Sequence, residues 1–213
     1  MFELIQNADD NKYECESPTL SFTYKRGSLR VDCNEVGFTE SNVRAIRDIG
    51  KSTKAGLRRS TRHIGEKGIG FKSVFKVAKV IYISSRDFTF KLDRSQGSIG
   101  LVAPTWADFP KSTIPGCTSF YLQLSESCDE AKIIEDFQIL SPQVLMFTRK
   151  LRKIEIRVEQ GAQKVWSEVL WRSDIHENGS TIRLLHRGST TSRYVVTTHS
   201  VPQLPKEEKR PGC

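Results

Sequence analysis

Apolar residues recur every three or four positions in three segments of the chain, a spacing typical of helices with one buried side. They are "FELIQNADDN" at the start, "FTESNVRAIRDIG", which Gly50 ends, and "SCDEAKIIEDFQILSPQVLMF". Pro142 interrupts the last of these, because proline cannot continue the hydrogen bonds of a helix interior. Three helices are predicted.

Between and after these segments, apolar and polar residues alternate, which is typical of strands with one buried face. The first two predicted strands form a hairpin around "KRGS". The predicted strand segments are "TLSFTYKRGSLRVDC", "KVIYISS", "DFTFKLD", "TSFYLQL", "KLRKIEIRVE", "KVWSEVLWR", "STIRLLHR" and "SRYVVTTHS".

Helices mixed with mostly antiparallel strands predict the α+β class. From about residue 160 onward only strands and turns are predicted, which indicates the beginning of a second unit. We therefore expect one domain over residues 1–159 and an incomplete β-rich segment over residues 160–213.

The composition is that of a globular protein, with 37% hydrophobic and 27% charged residues. No apolar run is long enough to cross a bilayer, and the N-terminus lacks the pattern of a signal peptide. An intracellular protein, cytoplasmic or nuclear and without a membrane partner, is expected. The five cysteines are scattered and form no C-x-x-C pair, which argues against a disulfide framework and a structural zinc site.

A net charge of +8 permits an acidic partner such as nucleic acid, nucleotide phosphates or an anionic surface. Positive charge is densest in residues 54–63 and 149–153. Solvated surface is the commoner explanation of such runs, and no alternation of aromatic and basic residues accompanies them. Charge alone does not select a partner.

The opening helix carries Glu3, Asn7 and Asp10 at i, i+4 and i+7, so the three side chains share one side. A carboxylate can polarise a water molecule, and an amide oxygen can ligate Mg²⁺. The alternative is an ordinary solvated stripe. Apolar residues flank the polar ones, which favours a helix buried on its other side.

"GEKGIGFKS" places glycines at 65, 68 and 70, where the backbone can approach a ligand and its N–H groups can contact phosphate oxygens. Phe71 separates Gly70 from Lys72, so the segment is not a Walker A loop, and its glycine order reverses the Rossmann order. A phosphate-binding loop of another kind and a structural turn both remain open.

"DCNEVGF" lies between a predicted strand and a predicted helix. Asp32 or Asn34 could hydrogen-bond the edge of a base there, and Gly37 would let the base approach the backbone. Taken alone, the segment is a turn.

In this order, the three segments resemble the ATP-binding domain of the GHKL superfamily, shared by gyrase B, heat-shock chaperones, histidine kinases and MutL. "ELIQNADD", "NEVGFTESNVRAI", "IGKSTK" and "IGEKGIGFKSVF" are most similar to the NO VEIN and sacsin-like branch. The resemblance implies a two-layer α/β sandwich of the Bergerat type, with a mixed and mostly antiparallel sheet.

The resemblance also implies a site for ATP and Mg²⁺, in which Glu3 orients the attacking water, Asn7 holds the metal and Asp10 orders the site. Residues 51–63 would form a lid. It further implies that Thr118 contacts adenine through water and that nucleotide contacts come from Asp32, Asn34, Gly37, Ser52, Thr53, Gly65, Gly68, Gly70, Phe71, Lys72 and Ser73.

The chain departs from the superfamily pattern at the base-reading aspartate, since counting back from Gly37 gives Cys33. It also lacks the helix and strand that usually precede the motif, and Glu3 falls in the first helical turn, where the backbone frays. A fragment of a longer protein, truncated at both ends, is expected.

The leading hypothesis is slow ATP hydrolysis, in which lid closure changes the conformation of a larger chaperone-like or regulatory protein. Other domains of the parent chain, protein clients and a second copy in a nucleotide-dependent dimer are the expected partners. One alternative is a nucleotide-sensing or scaffold module without turnover. Another is a chromatin-associated regulator that uses the basic surface.

Overall fold

The structure is a computed structural model and describes residues 1–49, 73–94, 104–161, 164–177 and 180–197. Its helices are α1 (Phe2–Asp10), α2 (Glu40–Ile49) and α3 (Glu130–Ile139), with short 3-10 helices at Ser73–Lys76 and Pro142–Leu145. Its strands are β1 (Thr19–Lys25), β2 (Ser28–Cys33), β3 (Ala78–Ser85), β4 (Phe88–Asp93), β5 (Thr105–Trp106), β6 (Thr118–Leu124), β7 (Lys153–Gln160), β8 (Lys164–Glu177), β9 (Ser180–Arg187) and β10 (Thr190–Val196).

All ten strands belong to one sheet, in the order β10-β9-β8-β7-β1-β2-β6-β3-β4-β5. The pair β1–β7 is parallel, and the other neighbouring pairs are antiparallel. Residues from distant parts of the chain therefore meet at the same end of the sheet, where β2 ends and β6 and β7 begin.

The expected α+β class and the two-layer α/β sandwich of the Bergerat type are wrong. The described part of the chain is mostly β, because its three α-helices have only 9 or 10 residues each while ten strands form one mixed sheet. The sandwich was implied by the resemblance alone, and the α+β class gave three short helices the same weight as the strands. β8, β9 and β10, expected to begin another unit, continue the same sheet beyond β7. The proposed division at residue 159 stays a prediction.

α3 packs on the β1–β2 hairpin through apolar and polar contacts. The rings of Phe22 and Phe137 lie 5.3 Å apart, and both side chains are buried. The Glu130 carboxylate accepts hydrogen bonds from the Tyr24 hydroxyl at 2.5 Å and from the Gly27 N–H at 2.8 Å. Helix and hairpin thus form part of one hydrophobic core.

One anion and one cation hold the segment that precedes β7. The Asp9 carboxylate of α1 accepts the backbone N–H groups of Arg149, Lys150 and Leu151 at 2.9, 2.7 and 2.9 Å. From β8, the buried Arg172 guanidinium donates to the carbonyl groups of residues 145, 148 and 149. Because buried backbone groups need partners, these contacts fix the segment.

The predicted helices and the strands of the quoted segments are confirmed, whereas the two-residue strand β5 was not predicted. β5 is too short to show an alternating pattern, which explains why periodicity missed it. No helix in the described ranges is long and apolar enough to cross a membrane.

Candidate functional site

The polar side of α1 differs from its buried side. Ile5 and Ala8 pack in the core, whereas Glu3 is exposed and Asn7 is half-buried. Among the described residues, the Asn7 side chain has no hydrogen-bond partner. Its amide is therefore available to a ligand.

Asp10, the third residue of the predicted stripe, forms an ion pair with the Arg149 guanidinium. Its neighbour Asp9 is the buried carboxylate, with 8% of its surface exposed. Burial raises the pKa of Asp9, but the three backbone N–H groups and Arg149 outweigh burial and hold the pKa below its ordinary value of 3.8. Asp9 is therefore charged at neutral pH and serves the fold.

Tyr13 links α1 to the end of β2. Its hydroxyl donates to the Ala8 carbonyl at 2.7 Å and lies 3.1 Å from the Cys33 sulfur. Since the single hydroxyl proton is used on Ala8, the Cys33 thiol is the donor in the second contact. Burial raises the pKa of Cys33 to about 12, so this thiol stays protonated.

A chain of hydrogen bonds passes through Thr118, which pairs with Cys33 across strands β6 and β2. The Phe38 N–H donates to the Ser85 hydroxyl at 2.8 Å, and the Ser85 and Thr118 hydroxyls lie 2.6 Å apart. Thr118 donates to a Glu35 carboxylate oxygen at 2.7 Å. Because Thr118 donates its single hydroxyl hydrogen to Glu35, the Ser85 hydroxyl must donate to Thr118.

The two residues proposed to replace the base-reading aspartate have contacts of their own. Asp32 is buried and accepts from the Arg30 guanidinium at 2.8–3.0 Å and from the Ser119 hydroxyl at 2.5 Å. Asn34 accepts from the Thr19 N–H at 2.7 Å and donates to the Ser17 carbonyl at 3.0 Å. Their polar atoms thus hold strands and turns together.

Gly37 lies beside the β3–β4 turn with a φ of +83°, a conformation that favours glycine. A Cβ atom at this position would lie 2.7 Å from Cγ of Arg86. The glycine is therefore needed for the approach of the Arg86 side chain, in addition to any role beside a base.

The predicted phosphate-binding segment and lid lie outside the described residues. This applies to residues 51–63 and to Ser52, Thr53, Gly65, Gly68, Gly70, Phe71 and Lys72. Only the backbone of Ser73 is described, at the start of a 3-10 helix. Their predicted contacts with a nucleotide stay predictions.

Sequence reasoning missed Glu35 and Tyr13. Glu35 stands inside the segment singled out for base recognition, two residues after Cys33, and its carboxylate was the signal. Tyr13 carries no motif, because its role depends on the position of β2 relative to α1. The structure brings the second half of α1, Cys33, Thr118 and Glu35 to one end of the sheet.

The donor set fits a magnesium ion that arrives with a phosphate ligand. Mg²⁺ typically takes few protein ligands and completes its octahedron with water and phosphate oxygens, so the Asn7 amide would have to supply only one of its ligands. Within the described ranges, no three His, Cys, Asp or Glu side chains converge as a metal cluster. Phosphate oxygens and water molecules would therefore have to supply most of the ligands of such an ion.

A comparison with known proteins finds one informative similarity. A stretch of 106 residues is 51% identical to the Protein NO VEIN of Arabidopsis thaliana, covering 49% of this chain and 4% of that protein. No family model matches the chain. The similarity supports the NO VEIN part of the resemblance, whereas membership of the wider ATPase superfamily stays a prediction.

Proposed function

We propose that this chain binds ATP with Mg²⁺ along the polar side of α1 and hydrolyses it slowly, as part of a larger chaperone-like or regulatory protein. The observation that supports this best is the available amide of Asn7. The next residue, Ala8, accepts a hydrogen bond from Tyr13, which also contacts Cys33, and Cys33 pairs with Thr118 at the end of the sheet. In this proposal, the amide that would bind the metal and the region that would bind the base lie on connected elements.

In this proposal, Asn7 would hold the Mg²⁺ that arrives with the nucleotide, and Glu3 would orient the attacking water. ATP and Mg²⁺ supply the transferable phosphoryl group and the neutralising charge. The contribution of the chain is positioning and electrostatic stabilisation, the usual protein role in phosphoryl transfer. Closure of the predicted lid would exclude water and transmit the change to neighbouring domains.

At the base end, Glu35 is the carboxylate best suited to accept an amino group of the base. Thr118, which Ser85 holds in turn, orients this carboxylate, whereas the Cys33 thiol is buried and directed at Tyr13. A carboxylate accepts such a hydrogen bond more strongly than a thiol does. Glu35 would therefore take the role of the aspartate that Cys33 replaces.

A nucleotide-sensing module without turnover is the second candidate. Glu3 is exposed in the first turn of α1, and Met1 provides no side-chain cap for that turn. A carboxylate in such a turn is poorly held, because the leading N–H groups lack helical partners. Binding and hydrolysis must therefore be measured separately.

The test is calorimetric titration of Mg·ATP into the full chain, together with an assay of phosphate release. We expect Asn7→Ala to weaken binding at least tenfold, while Gln6→Ala, an exposed amide truncation on the same helix, leaves it unchanged. Glu3→Gln should retain binding and abolish turnover. Glu35→Gln should weaken ATP binding, since the amide is a poorer acceptor than the carboxylate.

Equal binding by Asn7→Ala and Gln6→Ala would contradict the assignment of the metal ligand. Saturable binding with no phosphate release in the wild type would favour the sensing module. No binding by a chain that circular dichroism shows to be folded would overturn the proposal.

A further inference from the structure

A second concave region lies at the same end of the sheet and does not contain Glu3, Asn7 or Thr118. It is an open cleft of about 600 Å³ between the α1–β1 connection, the β3–β4 turn and the segment before β7. Its basic lining residues are Lys12, Arg86, Arg149, Lys150 and Arg152. The basic run at residues 149–153 therefore supplies only part of this charge, and the fold adds the rest.

Several of these cations have no carboxylate partner. Lys12 and Arg86 are exposed and form no ion pair with any described residue. The Lys150 ammonium donates to the backbone carbonyls of Asp10 and Asn11 at 3.2 and 2.5 Å, which orient it without neutralising it. Arg149, by contrast, is paired with acidic residues of α1.

Arg152 is also incompletely compensated. Its Nη1 atom is buried and has no hydrogen-bond partner, and the nearest carboxylate oxygen, of Asp174, lies 3.8 Å away. Asp174 is already held by the Arg183 guanidinium at 2.8 and 3.0 Å. A partly buried guanidinium whose carboxylate partner is shared leaves excess positive charge beside the cleft.

Arg86 has a positive φ, a backbone conformation that residues with a side chain rarely adopt. Its φ of +51° is the only positive value for a non-glycine residue in the described ranges. It is the first residue of the two-residue β3–β4 turn, and glycine or asparagine would fit that φ with less strain. Gly37, across the turn, leaves the space into which the Arg86 side chain packs. An arginine kept under strain, with a glycine accommodating it, points to a use for its charge.

We propose that this cleft binds a small polyanion carrying two or more phosphate groups, held by Lys12, Arg86, Lys150 and Arg152. The volume lies within the range of small-molecule sites, about 300–1,000 Å³. Arginine guanidinium groups match phosphate oxygens in bidentate geometry, and lysine adds charge. The cations converge on one cleft, whereas a nucleic-acid backbone requires a longer basic track.

Glu14 and Glu16 line the same cleft and oppose the binding of any anion. A single monoanion gains too little from the cations to offset this repulsion in a solvated cleft. The proposal therefore requires a ligand with several charges and predicts that pyrophosphate binds and chloride-like monoanions do not.

The test is calorimetric titration of pyrophosphate into the full chain at low ionic strength. The cleft variant is Lys12→Gln with Arg86→Gln, and the matched control is Lys76→Gln with Lys79→Gln, two exposed lysines outside the cleft. The wild type and the control should bind one pyrophosphate with equal affinity, and the cleft variant should bind at least tenfold more weakly. Equal weakening in both double variants, or no saturable binding by the wild type, would overturn the proposal.

A second variant keeps the test independent of folding. Arg86→Gly removes the cation and the backbone strain together, so the thermal midpoint should stay or rise while pyrophosphate affinity falls. Unchanged affinity in a stably folded Arg86→Gly chain would contradict the role of this arginine.

Two further arms separate the cleft from other ligands. Asn7→Ala should leave pyrophosphate binding intact, and the cleft variant should leave Mg·ATP binding intact; loss of both ligands in the cleft variant would mean that the cleft is part of the nucleotide site and not a separate one. Duplex DNA that binds with a steep salt dependence, is lost in the cleft variant and is not displaced by pyrophosphate would overturn the proposal in favour of nucleic acid.

Discussion

The segment before β7 and the polar side of α1 are both rich in charged and amide groups, but they use them differently. In the first region, Asp9 and Arg172 spend their hydrogen bonds on backbone groups of residues 145–151. In the second, Asn7 has no hydrogen-bond partner among the described residues, and Glu3 is exposed.

The difference lies in what each polar group would leave behind if it were removed. Backbone N–H and carbonyl groups that are removed from water and left without partners cost free energy, so Asp9 and Arg172 stabilise the fold. Removing Asn7 leaves no such group unpaired. Polar residues of a structured helix that make no hydrogen bond within the protein are the ones available to a ligand.

The largest expected effect is that of Asp9→Ala, which removes the acceptor of three backbone N–H groups. We expect the free energy of unfolding to fall by about 2–3 kcal/mol, because the buried Leu151 N–H loses its acceptor, and the partly buried N–H groups of Arg149 and Lys150 lose theirs as well. Urea denaturation followed by circular dichroism measures this change.

Asp10→Ala is the matched control, since the two carboxylates are adjacent and Asp10 pairs only with the exposed Arg149 side chain and not with backbone N–H groups. Its loss should cost within about 1 kcal/mol. Equal destabilisation by the two variants would show that the segment before β7 does not depend on Asp9.

We also expect the contribution of Asp9 to the free energy of unfolding to depend on pH, with a smaller effect. The pKa of Asp9 in the folded chain lies below its ordinary value of 3.8, so its contribution to stability is complete above that value. As the pH falls through the folded-state pKa, the carboxylate takes up a proton and the contribution is lost.

The measurement is the difference in unfolding free energy between the wild type and Asp9→Asn, from about pH 5 down to about pH 2. This difference should shrink with decreasing pH. The comparison with Asp9→Asn is needed because the pKa values of Glu155, Glu159 and Asp174 are also lowered. These groups make the stability of both proteins depend on pH. A constant difference would contradict the role of Asp9.

Local periodicity was sufficient to predict the helices and nearly all strands, because each has its own alternation of apolar and polar residues. It was not sufficient for the architecture. Whether β8, β9 and β10 extend the existing sheet or form another layer depends on which strand edges pair, and β8 pairs with β7 along eight residue pairs. Pairing between edges leaves no mark in either strand's pattern.

The candidate site shows the same limit. Asn7 was predicted as a metal ligand, and its side chain has no hydrogen-bond partner among the described residues. Asp32 was predicted to bind the edge of a base, but its carboxylate is paired with the Arg30 guanidinium. Neighbouring residues of a strand point to opposite faces, so Asp32 and Cys33 cannot serve the same site. Glu35 became recognisable only through Thr118, which is 83 residues away in sequence.

The smallest expected effect tests the other half of the comparison, the polar side of α1. Asn7→Ala replaces a residue that makes no hydrogen bond to a described residue by the strongest helix former. We expect the free energy of unfolding to stay the same or rise by about 0.5 kcal/mol, measured by urea denaturation beside Gln6→Ala. A loss above about 1 kcal/mol would show that Asn7 supports the fold, and its place at a ligand site would then need another explanation. Stability that is kept or gained, together with weaker Mg·ATP binding, would identify Asn7 as a residue that serves a ligand at the expense of its helix.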